Sequence, residues 1–150
     1  MGEKLIKINN MWKGKVPILS LKRAASFALK KEMGENKKEV SIALVSMDKI
    51  EDLNFKYRGK KSVTDVLAFP LSGDVGPAKN LLGEIVICPD VALDYARAKG
   101  HSLEDELILL VVHGILHLLG YRDEEEEDRK IMIQKEKEIL KLLGKKEQIV

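Results

Sequence analysis

The chain has a single cysteine, Cys88, and so cannot form an internal disulfide; a reducing, cytoplasmic setting is the expectation. It also lacks a long uninterrupted apolar segment. The longest run, from Leu107 to Leu119, contains two histidines and a glycine and falls short of the roughly 20 residues that span a bilayer. It reads as a buried helix, and no membrane partner is expected. The N-terminal stretch "MGEKLIKINN" has no apolar core of the secretory kind, so export is not expected. Aromatic residues are scarce, with one tryptophan, three tyrosines and three phenylalanines. That scarcity argues against sequence-specific recognition of nucleic acid by extensive base stacking and for a groove that reads backbone charge and single-strandedness. The formal net charge is only +2, so any affinity for a polyanion must come from a local basic patch. Glutamine occurs only as Gln134 and Gln148 amid many lysines and glutamates, a bias associated with growth at high temperature.

What the chain does contain is ordinary for a globular protein. Its 150 residues, 45% hydrophobic and 33% charged, suit one domain with its own core, taken as residues 1–150. Strands are expected at "KLIKIN", "EVSIALVS", "TDVLAFP" and "GEIVICP", the last two flanking a loop near "SGDVGPAKN". A first helix carries Ile18, Leu21, Ala25, Ala28 and Leu29 at helical spacing and stops at Gly34. A short helix over "KIEDLNFKYRG" is expected to be capped by Asp48, and "VALDYARAKG" forms another that ends at Gly100. Ser102 with Asp105 marks the start of a central helix that runs to about Gly120. The last helix, amphipathic, should turn Ile131, Ile139, Leu142 and Leu143 toward the core. The fold class is therefore α+β, a sheet of about four strands packed by helices, because two connections are too short for crossover helices.

The segment "HGILHLLGYRDEEEE" carries the chemistry. His113 and His117 are four residues apart, so a helix places them on one face, and after Gly120 the chain can bring Asp123 back beside them. Two imidazoles and a carboxylate suit a borderline divalent ion such as zinc and leave an open coordination position, as catalytic sites do. The competing reading is of two core histidines that are merely hydrogen-bonded; the added glycine and aspartate at matched spacing favour the metal. His101, twelve residues before His113, would lie about 18 Å away along a helix and is set aside as a ligand. The acids from Glu124 to Asp128 have a plain account as the negative first turn of a helix.

These segments resemble the YbeY family of metal-dependent, single-strand-specific endoribonucleases. "HGILHLLGYRD" is similar to the family's HGxLHLxGYDH, "LNFKYRGKKSVTDVLAFP" to its LNxxYRxxxxxTDVLSFP, and "LLGEIVICPD" to its LGDIxIx. The resemblance implies a nuclease of ribosomal RNA maturation and quality control, acting at the small-subunit rRNA 3′ end, with single-stranded or ribosomal RNA and ribosomal proteins as partners. It implies His113 and His117 as metal ligands and Arg58 as the functional arginine, whose planar fork suits a phosphate. There is one departure: the family's last histidine falls on Asp123, with Arg122 in place of the preceding aspartate. Lys60 and Lys61 either add charge beside Arg58 or belong to a solvated loop, and Thr64 and Asp65 either brace the site or begin a strand. The attacking group is either water or the RNA's own 2′-hydroxyl. Two other readings stay open: a zinc metallopeptidase-like hydrolase, for which Gly114 stands where the base glutamate belongs, and a non-catalytic rRNA- or ribosome-binding protein stapled by its metal. The oligomeric state is left open.

Overall fold

The structure is a computed structural model that describes residues 2–35, 37–71, 80–146 and 149–150. Its four strands are β1 (Ile6–Asn10), β2 (Glu39–Leu44), β3 (Val66–Pro70) and β4 (Leu81–Ile87), and its five α-helices are α1 (Ile18–Met33), α2 (Met47–Arg58), α3 (Pro89–Lys99), α4 (Leu103–Leu118) and α5 (Glu126–Leu142). Most of the predicted loop "SGDVGPAKN" lies outside the described residues.

The four strands form one mixed sheet in the order β1-β2-β4-β3. β1, β2 and β4 run parallel, while β3 pairs with β4 antiparallel, Val66 opposite Ile87 and Pro70 opposite Gly83. β3 is thus an edge strand, and Pro70 is tolerated at its end, where a missing N–H costs little. Alternation along β2 sends Val40, Ile42 and Leu44 into the main core. That core also holds Leu21, Ala25 and Ala28 of α1 and Ile139 and Leu140 of α5. A smaller cluster on the other face gathers Ile50 of α2 with Leu67, Val86 and Cys88.

At the centre lies α4. It packs against α1, α3, α5 and the strands β3 and β4, and eleven of its 16 residues are buried, so it is apolar all round rather than striped. Ser102 caps it, the hydroxyl accepting from the Asp105 N–H at 3.0 Å. Gly114 marks its closest approach to the sheet: a Cβ there would stand 2.8 Å from Ile85 Cδ1 and 2.9 Å from Ile85 Cγ2. The helix ends through Gly120, whose φ of 100° belongs to the left-handed region. Tyr121 N–H closes the turn on the Leu116 carbonyl at 3.0 Å.

Two local expectations are corrected. Ser46, not Asp48, caps α2, its hydroxyl accepting from the Lys49 N–H at 3.2 Å, and Asp48 sits within the first turn. On α5 Ile131 and Leu142 are 52% and 58% exposed, while Met132, Glu136, Ile139 and Leu140 are buried. The stripe is displaced because the buried Glu136 occupies it, facing His113 of α4.

Candidate metal centre

The two histidines of α4 turn their Nε2 atoms toward each other, 3.0 Å apart, with the rings near perpendicular at 79°. After the Gly120 turn, Asp123 Oδ2 comes to 3.5 Å from His113 Nε2 and 3.4 Å from His117 Nε2. Donors held about 2.0–2.1 Å from a tetrahedral zinc ion stand roughly 3.3 Å from one another. The three observed separations bracket that edge length, so the residues present fit a small divalent ion. Among the described residues His113, His117 and Asp123 are the group that could hold a metal.

The other ring nitrogens are engaged, which determines what Nε2 can do. His113 Nδ1 lies 2.6 Å from Glu136 Oε1, and His117 Nδ1 lies 3.0 Å from the Tyr121 carbonyl oxygen. Since those oxygens only accept, each Nδ1 carries the proton and donates, leaving an Nε2 lone pair aimed at the common point. This outer ring of acceptors fixes tautomer and ring orientation together. Its electrostatics differ on the two sides. Burial works against charge on His113, but the hydrogen bond it donates to Glu136 and the carboxylates of Glu136, Asp123 and Asp65 outweigh it and hold the imidazole above its ordinary value. Burial and the neighbouring His113 push His117 below it, against the pull of Asp123.

Asp123 is held by the chain around it. Arg129, in the first turn of α5, donates from Nε to the Asp123 carbonyl at 3.2 Å and from Nη2 to the Glu124 carbonyl at 3.3 Å. Tyr121 Oη donates to Glu32 Oε1 on α1 at 2.6 Å, and Lys31 and Lys135 flank the same carboxylate. The turn that carries the third donor is therefore tied to both α1 and α5.

The cluster opens on a cleft of about 520 Å³ whose lining includes Arg58, Thr64, Asp65 and Arg122. Arg58 is the last residue of α2, followed by Gly59 in the left-handed conformation that caps the helix. The loop beyond is pinned by the buried Asn54, whose Nδ2 donates to the Ser62 carbonyl at 3.0 Å. Arg58 thus faces the same cleft as the histidines, whereas Lys60 and Lys61 are exposed and do not line it. Asp65 immediately precedes β3 and lines the same cleft. Burial raises its carboxyl above the usual range, against backbone N–H hydrogen bonds from Asp65 and Val66 and the nearby His113. His101 is indeed elsewhere, its Nε2 2.6 Å from Glu136's counterpart on α4, Glu106 Oε1.

Sequence reasoning missed Glu136 and Asn54. Glu136 carries the stronger lesson: it is 4% exposed on an otherwise apolar stripe, and a charged residue is rarely buried without a partner. A helix-wheel placement of α5 that put Met132, Ile139 and Leu140 inward would have found it.

Fold and cluster define a class: an α+β protein with three convergent donors suited to a divalent ion, on a central helix facing an open cleft. Comparison with known proteins places the chain within it. The family model described as Endoribonuclease YbeY matches residues 8–144. The relative from Finegoldia magna, named Endoribonuclease YbeY, is 44% identical over 83% of this chain and 81% of its own length. Its namesake from Staphylococcus carnosus is 39% identical over 92% of this chain and 90% of its own. A solution structure of a Thermotoga maritima protein aligns with a TM-score of 0.65 at 38% identity, covering 93% of this chain and 89% of that one. The chain belongs to the YbeY family of endoribonucleases. Among the described residues no helix is long and apolar enough to cross a membrane.

Proposed function

We propose that this protein is a metal-dependent, single-strand-specific endoribonuclease that acts in ribosomal RNA maturation, at the small-subunit rRNA 3′ end, and in ribosome quality control. His113, His117 and Asp123 hold one divalent ion, zinc by the chemistry of the donor set, and Arg58 is the catalytic arginine. When bound, the ion supplies Lewis acidity toward a phosphoryl oxygen. Arg58 donates from its guanidinium fork to the phosphoryl oxygens that gather negative charge. Glu136 and the Tyr121 carbonyl keep both imidazoles in the tautomer the cluster needs. The observation that carries the reading is the joint placement of the three donors, 3.0 to 3.5 Å apart, and Arg58 on one cleft.

The peptidase reading loses ground on packing as well as on chemistry. Gly114 faces Ile85 of β4, and a Cβ there would meet Ile85 atoms at 2.8 to 3.0 Å. A glutamate at that position would have to enter the sheet interface rather than the cleft.

The test is cleavage of a ribosomal RNA fragment that contains both paired and unpaired stretches. Cuts are expected in the unpaired stretches alone, should stop when the protein is stripped with a chelator, and should return with added zinc. Cleavage that survives stripping, or that falls equally on paired and unpaired RNA, would overturn the reading. A ribosomal partner in the cytoplasm is part of the same proposal and would be seen as co-sedimentation with the small subunit.

A further inference from the structure

His113, Asp123, Asp65 and Val66 are shared by two adjoining hollows. One is the cleft already described, with Arg58 and Arg122 in its lining. The other, about 270 Å³, lies between α4 and α5, walled by Leu109, Leu110, Met132 and Ile133, with Lys99 and Glu106 in its lining as well. Glu106 precedes His113 by seven residues on α4, so it lies on the same face of the helix about 10.5 Å away. The second hollow therefore runs from the metal cluster along two turns of α4 to a buried carboxylate.

We propose that this second hollow is a nucleobase subsite. It receives the base of a nucleotide next to the scissile phosphate and favours bases with an exocyclic amine, cytosine, adenine and guanine, over uracil. The inference rests on the endoribonuclease reading and adds the substrate feature that reading leaves open.

Both hollows hold charges of each sign, but their cations are engaged differently. Arg58 and Arg122 line the first and can draw phosphate to it. In the second, Lys99 is paired with Glu106 and Arg129 donates to the Asp123 and Glu124 carbonyls, which leaves the carboxylates of Glu106 and Glu136 to accept hydrogen bonds from an amine. Glu106 is 1% exposed and rigidly held. His101 Nε2 and Lys99 Nζ both reach its Oε1, at 2.6 and 3.2 Å. Among the described residues its Oε2 has only the longer 3.5 Å contact with Lys99, which leaves that oxygen with accepting capacity. Between Glu106 and the cluster the walls are aliphatic and thioether side chains, surfaces on which the flat face of a base can lie. The volume falls short of the roughly 300–1,000 Å³ typical of drug-sized sites and so suits one base rather than two. Unstacked bases of single-stranded RNA are free to swing into such a hollow, and paired bases are not. The subsite would thereby also contribute to single-strand preference.

The experiment uses single-stranded oligoribonucleotides of one sequence, varied one position at a time around the cut to cytidine, adenosine, guanosine, uridine or an abasic nucleotide, with kcat/KM measured for wild type and Ile133→Trp. At one flanking position uridine and the abasic nucleotide should each lower kcat/KM about tenfold relative to the amine-bearing bases. Ile133→Trp, which fills the hollow from a partly buried position, should keep its metal and lose that discrimination. Equal cleavage of all five substrates at every flanking position, or discrimination unchanged in Ile133→Trp, would overturn the subsite while leaving the nuclease reading intact. A second measurement does not need cleavage: methyl spectra of the intact protein with cytidine monophosphate or ribose 5-phosphate. Shifts at Leu109, Leu110 and Ile133 with the nucleotide and not with the sugar phosphate are expected. If no RNA is cut but those shifts appear, the nuclease reading fails and the subsite stands; if they are absent, the subsite fails.

Discussion

The two walls of the cleft are built on different principles. On the α4/α5 wall every functional atom has a second partner: His113 is backed by Glu136 at 2.6 Å, His117 by the Tyr121 carbonyl at 3.0 Å, and the Asp123 turn by Arg129. On the α2/β3 wall Arg58 is exposed at a helix end, with Lys60 and Lys61 beyond it. The proposed metal site would have to hold three donors in position before the ion arrives, and the bracing supplies that. A phosphate contact can be made by a long flexible cation as the substrate arrives. The contrast predicts that damage to the first wall removes the metal, and damage to the second removes catalysis alone.

Predictions that test this contrast run from large to small. His117→Ala removes a donor and should abolish stoichiometric zinc binding, measured by elemental analysis of the purified protein. Glu136→Ala should weaken zinc affinity about 10–100-fold in a competition titration with a chromophoric chelator, and Glu136→Gln, which keeps an accepting oxygen, should recover part of the loss. An unchanged affinity in Glu136→Ala would show that the bracing is incidental. Tyr121→Phe removes the hydrogen bond to Glu32 and should cost about 1–2 kcal/mol of stability in denaturant titration while the metal is retained.

The same tyrosine gives a pH signature. Its hydrogen bond to Glu32, together with burial and that carboxylate's charge, pushes its hydroxyl up to about 12, above the ordinary tyrosine value of about 10. Because the folded value lies above the unfolded one, this contribution to stability is complete below pH 10 and is lost as pH rises through 12. In the phenolate absorbance one of the three tyrosines should titrate late, and Tyr121→Phe should remove that late step. The smallest effect is expected from Lys60→Ala with Lys61→Ala: a severalfold rise in KM at low salt that fades at high salt, since neither lysine lines the cleft.

How much of this was legible follows from the range of each interaction. The central helix, its Ser102 cap, the i, i+4 histidines and the return of Asp123 through Gly120 are all local, within about twenty residues, and periodicity and turn chemistry suffice to read them. The four strands were legible as segments. Their order was not, because β4 joining β2 in parallel while β3 runs antiparallel at the edge depends on how helices pack the sheet, which no strand encodes alone. Glu136 was hidden for a related reason. It meets His113 from 23 residues away, and an acid on a buried stripe is explicable only once its partner is known. The displacement of Ile131 and Leu142 to the surface is the other side of that misreading.

The most direct test of the separate walls is zinc content and RNA cleavage measured on the same preparations of wild type, His117→Ala and Arg58→Glu. Wild type should hold about one zinc per chain and cut single-stranded RNA. His117→Ala should lose both. Arg58→Glu should keep its zinc and lose cleavage by at least about a hundredfold, the scale of removing one donor from a developing negative charge. An Arg58→Glu protein that cuts at the wild-type rate, or a zinc-free His117→Ala protein that still cuts, would contradict the account.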